Sequence, residues 1–248
     1  LGRIADREGI LAVTRALTDT DPFVVESASI ALSEGVREDD SALVRPLLEA
    51  YDGLDSRASF ALREAILIAL SRIQIDSEPL RVRVRHRVRR EIFGPTAAVR
   101  KAAIALLERL YGEDDPPPLP VTDLVLTRLA DDHPEVRVVA ASFLAAHLEP
   151  GFTGAAPKLE AAAKRGERTV AILALEALRR HDTPAARDAL AGATAIPDSA
   201  VAQRAAELVD GFQPSTPEWS FTPKVSPPAP DPSRPTRVRR VDPDKAEE

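Results

Sequence analysis

Six arginines in ten residues, Arg81, Arg83, Arg85, Arg87, Arg89 and Arg90, make the densest charge in this chain. They are interleaved with Val82, Val84, His86 and Val88. A guanidinium is planar and always charged, so such a run can take up phosphate, nucleic acid or an acidic protein face. The backbone decides where the charges point. As a helix, Leu80, Val84, Val88 and Ile92 form one apolar stripe and most of the arginines turn outward. As a strand, arginine and valine alternate and one face is basic. The repeat set out below needs a helix here. The competing account of the arginines is structural: a solvated face, paired to acids on neighbouring hairpins in a chain with 39 Asp and Glu.

A second group of candidate contacts lies near the C-terminus, where Trp219 (the single tryptophan) and Phe221 sit between Pro217 and Pro223. Two aromatics in a proline-flanked segment suit an anchor that docks in a groove, either on a partner or on the chain's own last hairpin. An unstructured segment is the third reading. Arg234, Arg237, Arg239 and Arg240 follow as a small basic cluster, with Asp242 and Asp244 close behind. The mixed signs argue against a dedicated nucleic-acid arm. Pro227-Pro228-Ala229-Pro230-Asp231-Pro232 reads as a recognition segment or a spacer.

Catalytic constellations do not emerge from the remaining residues. His86, His133, His147 and His181 are the four histidines, and no two share an i, i+4 face. With no cysteine, disulfides, thiolate catalysis and cysteine-ligated metals are excluded. No glycine-rich phosphate loop or nucleophile elbow is present. The expectation is a protein that is not an enzyme, with no catalytic residue, cofactor site or metal site. A net charge of −6 gives the whole chain no nucleic-acid or anionic-membrane signature. No apolar run is long enough to span a bilayer, and the expected compartment is the cytoplasm. The absence of methionine puts the start of translation upstream of Leu1.

The elements that must position these residues announce themselves as a cadence. Val24/Ala28/Leu32 is followed by Leu62/Ile66/Leu70, Val99/Ala103/Leu107, Val136/Ala140/Leu144, Val170/Ala174/Leu178 and Val201/Ala205/Val209. Successive middle residues are 38, 37, 37, 34 and 31 apart. The i, i+4, i+8 spacing is helical, and a period near 37 is that of stacked helical hairpins. Alanine at most middle positions lets neighbouring helices approach closely.

The hairpins are expected at Ile10–Leu17 with a helix opening at Asp21-Pro22; Ser41–Tyr51 with Ser56–Ile73; and Glu78–Phe93 with Thr96–Leu110. The remaining three are Val121–Ala130 with Pro134–Leu148, Ala155–Lys164 with Glu167–His181, and Pro184–Gly192 with Asp198–Gly211. Asp21-Pro22 and Thr183-Pro184 pair a capping side chain with a proline that has no amide hydrogen to lose. Asp132-His133-Pro134 is a looser version. Glu113–Pro118 reads as an acidic, proline-stiffened linker. Beyond Gly211 the helical period stops, and residues 212–248 carry nine prolines. The fold expected is all-α: an α-solenoid of about six hairpins over residues 1–211, then an extended Pro-rich tail over 212–248.

Asp21-Pro22-Phe23-Val24-Val25, Val99-Arg100-Lys101-Ala102-Ala103 and the stretch from Asp132 to Ala140 resemble HEAT repeats, nearest to the short HEAT-like units also found in phycobilisome lyases. The resemblance covers residues 1–211. The Val–Arg pair stands at Val99-Arg100 and Val136-Arg137, becomes Leu62-Arg63 in the second unit, and is absent from the first, fifth and sixth. The resemblance implies a concave face, lined by the second helix of each hairpin, that holds a protein partner within a larger complex. Two alternatives stand beside this scaffold: a nucleic-acid or phosphate binder acting through Arg81–Arg90, and a lyase or chaperone for a tetrapyrrole or similar prosthetic group.

Overall fold

The computed structural model describes residues 7–54, 60–112 and 115–211. The chain divides into two units, Leu1–Phe212 and Gln213–Glu248, and the second lies outside the described residues. Twelve α-helices make up the described part: α1 (Arg7–Ala16), α2 (Pro22–Gly35), α3 (Val44–Asp52), α4 (Phe60–Arg72), α5 (Glu78–Val88), α6 (Ala97–Leu110), α7 (Leu119–Thr127), α8 (Pro134–His147), α9 (Ala155–Arg165), α10 (Arg168–His181), α11 (Pro184–Ala193) and α12 (Ser199–Asp210). Three 3-10 turns, Ser41–Leu43, Arg89–Phe93 and Arg128–Ala130, adjoin α3, α5 and α7. There is no strand among the described residues; Arg81–Val88 is helical, as the repeat required.

The hairpin starts follow from local chemistry. Asp21 accepts the Phe23 amide at 2.9 Å, with Pro22 opening α2. Thr96 caps α6, Thr183 caps α11, and Asp198 takes the amides of Ala200 and Val201. At α8 the expectation is corrected: the cap residue is His133 and makes no side-chain cap. Asp131 instead accepts the His133 amide at 3.1 Å, one residue earlier than the Asp132 the sequence suggested. Of the linker, Glu113 and Asp114 lie outside the described residues. Gly112 and Asp115 exchange backbone hydrogen bonds, both 3.2 Å, and Pro117 is buried, so this corner is fastened to the fold.

The cadence becomes a row of helices. α2 packs on α4, α4 on α6, α6 on α8, α8 on α10 and α10 on α12. Each odd-numbered helix packs on its own partner and flanks the row, with α1 against α3, α3 against α5, and α9 against α11. The stripe residues of α4, α6, α8 and α10 are all buried. Burial of each valine or leucine contributes about 1.5–3 kcal/mol, provided the neighbouring helix supplies the other wall. In the first and last even helices described, the stripe is less sealed: Val24 is 37% exposed and Val209 only half-buried. Two glycines allow the tight approach of loop to row. A Cβ on Gly94 would stand 2.5 Å from Val99 Cγ1, and one on Gly166 would stand 2.5 Å from the Ala162 carbonyl oxygen.

Candidate functional site

Helix α5 and its 3-10 extension bury Val84, Val88 and Ile92 of the expected stripe, leave its first residue, Leu80, half-buried, and divide the arginines into two sets. Three are engaged. Arg81 donates to Glu78 on its own helix at 2.8 Å. Arg87 grips Asp52 of α3, Nε to Oδ1 at 2.9 Å. Arg85 lies 4.4 Å above the Tyr111 ring and donates to the Leu110 carbonyl and to Asp115. It thereby fastens α5 to the corner between α6 and α7. Arg83, Arg89 and Arg90 are exposed and make no ion pair with a described residue. Trp219, Phe221, Arg237, Arg239 and Arg240 lie outside the described residues.

Other arginines link successive even helices, among them those of the Val–Arg pairs. Arg63 reaches Glu91 at 3.2 Å. Arg100 forks onto Asp131, with Nε and Nη2 each at 2.8 Å from one carboxylate oxygen, and also donates to the Gly94 carbonyl. Arg137 repeats the pattern with Glu167 and the Asp131 carbonyl. Arg168 continues it to Asp198 at 2.9 Å. Each arginine starts on one even helix and ends at the loop or 3-10 turn before the next, so the ladder sets the stacking register. A bidentate pair fixes geometry as well as contributing energy. Tyr51 adds a hydroxyl that donates to Glu91 beside Arg63.

These contacts set the charges. Burial pushes the Asp131 carboxyl up, but hydrogen bonds from Arg100 and the His133 amide, with the charges of Arg100 and Arg128, hold it below the usual carboxylate range. The Arg137 hydrogen bond lowers Glu167, and the Arg168 hydrogen bond lowers Asp198. Burial and then the Glu91 carboxylate raise Tyr51, which stays protonated as a donor. His147 is lowered by burial, packed beside Phe143 with Nε2 3.1 Å from the Glu108 carbonyl oxygen. No three His, Asp or Glu side chains converge as a metal site would need among the described residues. No helix there is long and apolar enough to cross a membrane.

The row also has a side that is less buried than the stripe. Two and six residues past the first stripe residue of α4, α6, α8 and α10 stand Glu64 and Ile68, Lys101 and Ala105, Val138 and Ser142, Ile172 and Glu176. All are half-buried or exposed, although the stripe beside them is sealed. Ile68, Ala105, Val138 and Ile172 thus carry apolar character along four successive even helices. Polar contacts run among them: Lys101 with Glu135, Ser142 with Glu108, and Arg204 of α12 with Glu176. These face residues were not picked out from the sequence. Their signal was present as the i+2 and i+6 positions of the cadence.

No family model and no curated protein matches the chain. Among solved structures, an engineered protein determined by the Northeast Structural Genomics Consortium superposes with a TM-score of 0.57 at 16% identity, over 82% of this chain and 95% of that one. That likeness is one of fold. The complex of CpcE and CpcF of phycocyanin lyase from Nostoc sp. PCC7120 aligns at 21% identity over 85% of this chain and 70% of that one, with a TM-score of 0.39.

Proposed function

We propose that this chain is a non-enzymatic scaffold: a solenoid of HEAT-like hairpins whose even-helix face holds a protein partner within a larger complex. The observation that carries the reading is the line of half-buried apolar side chains Ile68, Ala105, Val138 and Ile172 on four successive even helices, beside a stripe that is fully buried. A surface of spaced aliphatics bordered by paired charges fits a protein partner better than a phosphate backbone, which demands unpaired cations. The tail, with Trp219 and Phe221, supplies a second contact in this reading.

The test is affinity purification of the chain from its source, comparing the unmodified protein with Val138→Arg plus Ile172→Arg and with a chain ending at Gly211. A stoichiometric protein lost from the face variant, with the variant's melting temperature unchanged, supports the scaffold. Equal recovery with both variants contradicts it. A second reading draws on the three exposed arginines Arg83, Arg89 and Arg90: salt-sensitive binding of a duplex or RNA, abolished by Arg83→Glu plus Arg90→Glu, would favour a nucleic-acid binder.

A further inference from the structure

The odd-numbered helices pack less evenly than the even row. On one side α9 packs along α11; on the other it meets the 3-10 turn that follows α7. Between α7 and α9 this leaves a groove of about 790 Å³, a size typical of small-molecule sites. Leu126, Leu129 and Ala162, all buried, form its floor. Ala130 and Ala161 stand on its walls, and side chains this short leave the space between the two helices unfilled. The charged side chains that line it are Arg137, Lys158 and Arg165, all cations.

Neighbouring acids account for two of the three. Glu167 holds Arg137, and Lys158 reaches from α9 to Asp123 of α7 at 3.3 Å; neither acid lines the groove. Glu160 is taken by Lys164 of the same helix at 2.5 Å, and Asp131 by Arg100. Asp132 is exposed and is not part of the lining. Arg165 is exposed and makes no ion pair with a described residue. An apolar floor thus meets a single cation in excess. A groove of about 720 Å³ between α1 and α2 makes the contrast: the charge lining it is that of Glu34, which repels an anion.

We propose that the α7–α9 groove binds an amphiphilic organic monoanion, an apolar body carrying one carboxylate or sulfonate group. The body lies on Leu126, Leu129 and Ala162. The anionic group meets the Arg165 guanidinium, whose planar fork suits paired oxygens. A polyanion is not selected, because Arg137 and Lys158 are already neutralised. None of the lining residues belongs to the line Ile68, Ala105, Val138 and Ile172, so this site and the partner-binding face stand or fall separately.

The experiment titrates the full chain with anilinonaphthalenesulfonate, which has this chemistry, and in parallel with phenylnaphthylamine, the same rings without the sulfonate. One sulfonate ligand per chain is expected, with a dissociation constant of about 10–100 µM. Arg165→Glu weakens the sulfonate by about tenfold or more and leaves phenylnaphthylamine unchanged. Arg165→Lys keeps most of the affinity. Ala130→Trp, at an exposed position on the wall, fills the groove and removes both ligands with the melting temperature unchanged. Phe23→Glu, in the α1–α2 groove, leaves sulfonate binding intact. No sulfonate binding, an affinity indifferent to Arg165→Glu, or equal losses of both ligands in that variant overturns the proposal. So does sulfonate binding that survives Ala130→Trp or is lost in Phe23→Glu.

Discussion

Asp131 does the work of several residues. It receives the Arg100 fork, anchors the His133 amide that starts α8, and lends its own carbonyl to Arg137. Asp131→Ala leaves Arg100 half-buried without its carboxylate, and a loss of about 2–3 kcal/mol is expected by urea unfolding; Asp131→Asn, which keeps one acceptor, loses less. Because the folded carboxyl sits below its usual range, this contribution is present above about pH 4 and is lost as pH falls. His147 works the other way. Burial lowers its folded pKa, so the unfolded chain takes up the proton first as pH drops through about 6.5. Stability from this residue is present above that pH and declines below it until the folded imidazole also protonates. Melting temperatures at pH 7.5 and 5.5 should therefore differ less in His147→Gln than in the unmodified chain. The Val–Arg pairs were visible in the sequence, but their acids were not. Glu91, Asp131 and Glu167 lie 28 to 31 residues downstream of their arginines, and only the folded stack brings them together.

At the scale of elements the sequence was more explicit, because hairpin starts are local. Asp21-Pro22, Thr183-Pro184, Thr96 and Asp198 open their helices as read. Less visible were the 3-10 ends of the third and fourth first helices, which depend on how α5 and α7 fit against their neighbours, and the exposure of Val24 on the first even helix described. A stripe looks the same in the middle of an array as at its edge. The loops before α6 and α10 rest on glycine for steric reasons that spacing does not disclose. Gly166→Ala drives a methyl into the Ala162 carbonyl, which cannot swing aside. A destabilisation of about 1–3 kcal/mol is expected in chemical denaturation, whereas Gly192→Ala, whose added methyl meets nothing within 4 Å, should be neutral or slightly stabilising.

For the whole molecule, the arginine segment illustrates how charge density and availability differ. Of its six arginines, Arg81, Arg85 and Arg87 are bound to acids or carbonyls of the chain itself, so only Arg83, Arg89 and Arg90 are without an ion pair to a described residue. The even-helix face, which carries no conspicuous motif, offers the more continuous surface. The central claim is that this face holds a protein. The most direct measurement places a photoreactive amino acid singly at positions 68, 138 and 172, and for comparison at 83 and 90, in the chain expressed in its source, followed by mass spectrometry of the crosslinked products. The account predicts crosslinks to one protein from 68, 138 and 172, and none to that protein from 83 or 90. Crosslinks to nucleic acid from 83 and 90, with the even-helix positions silent, would contradict it.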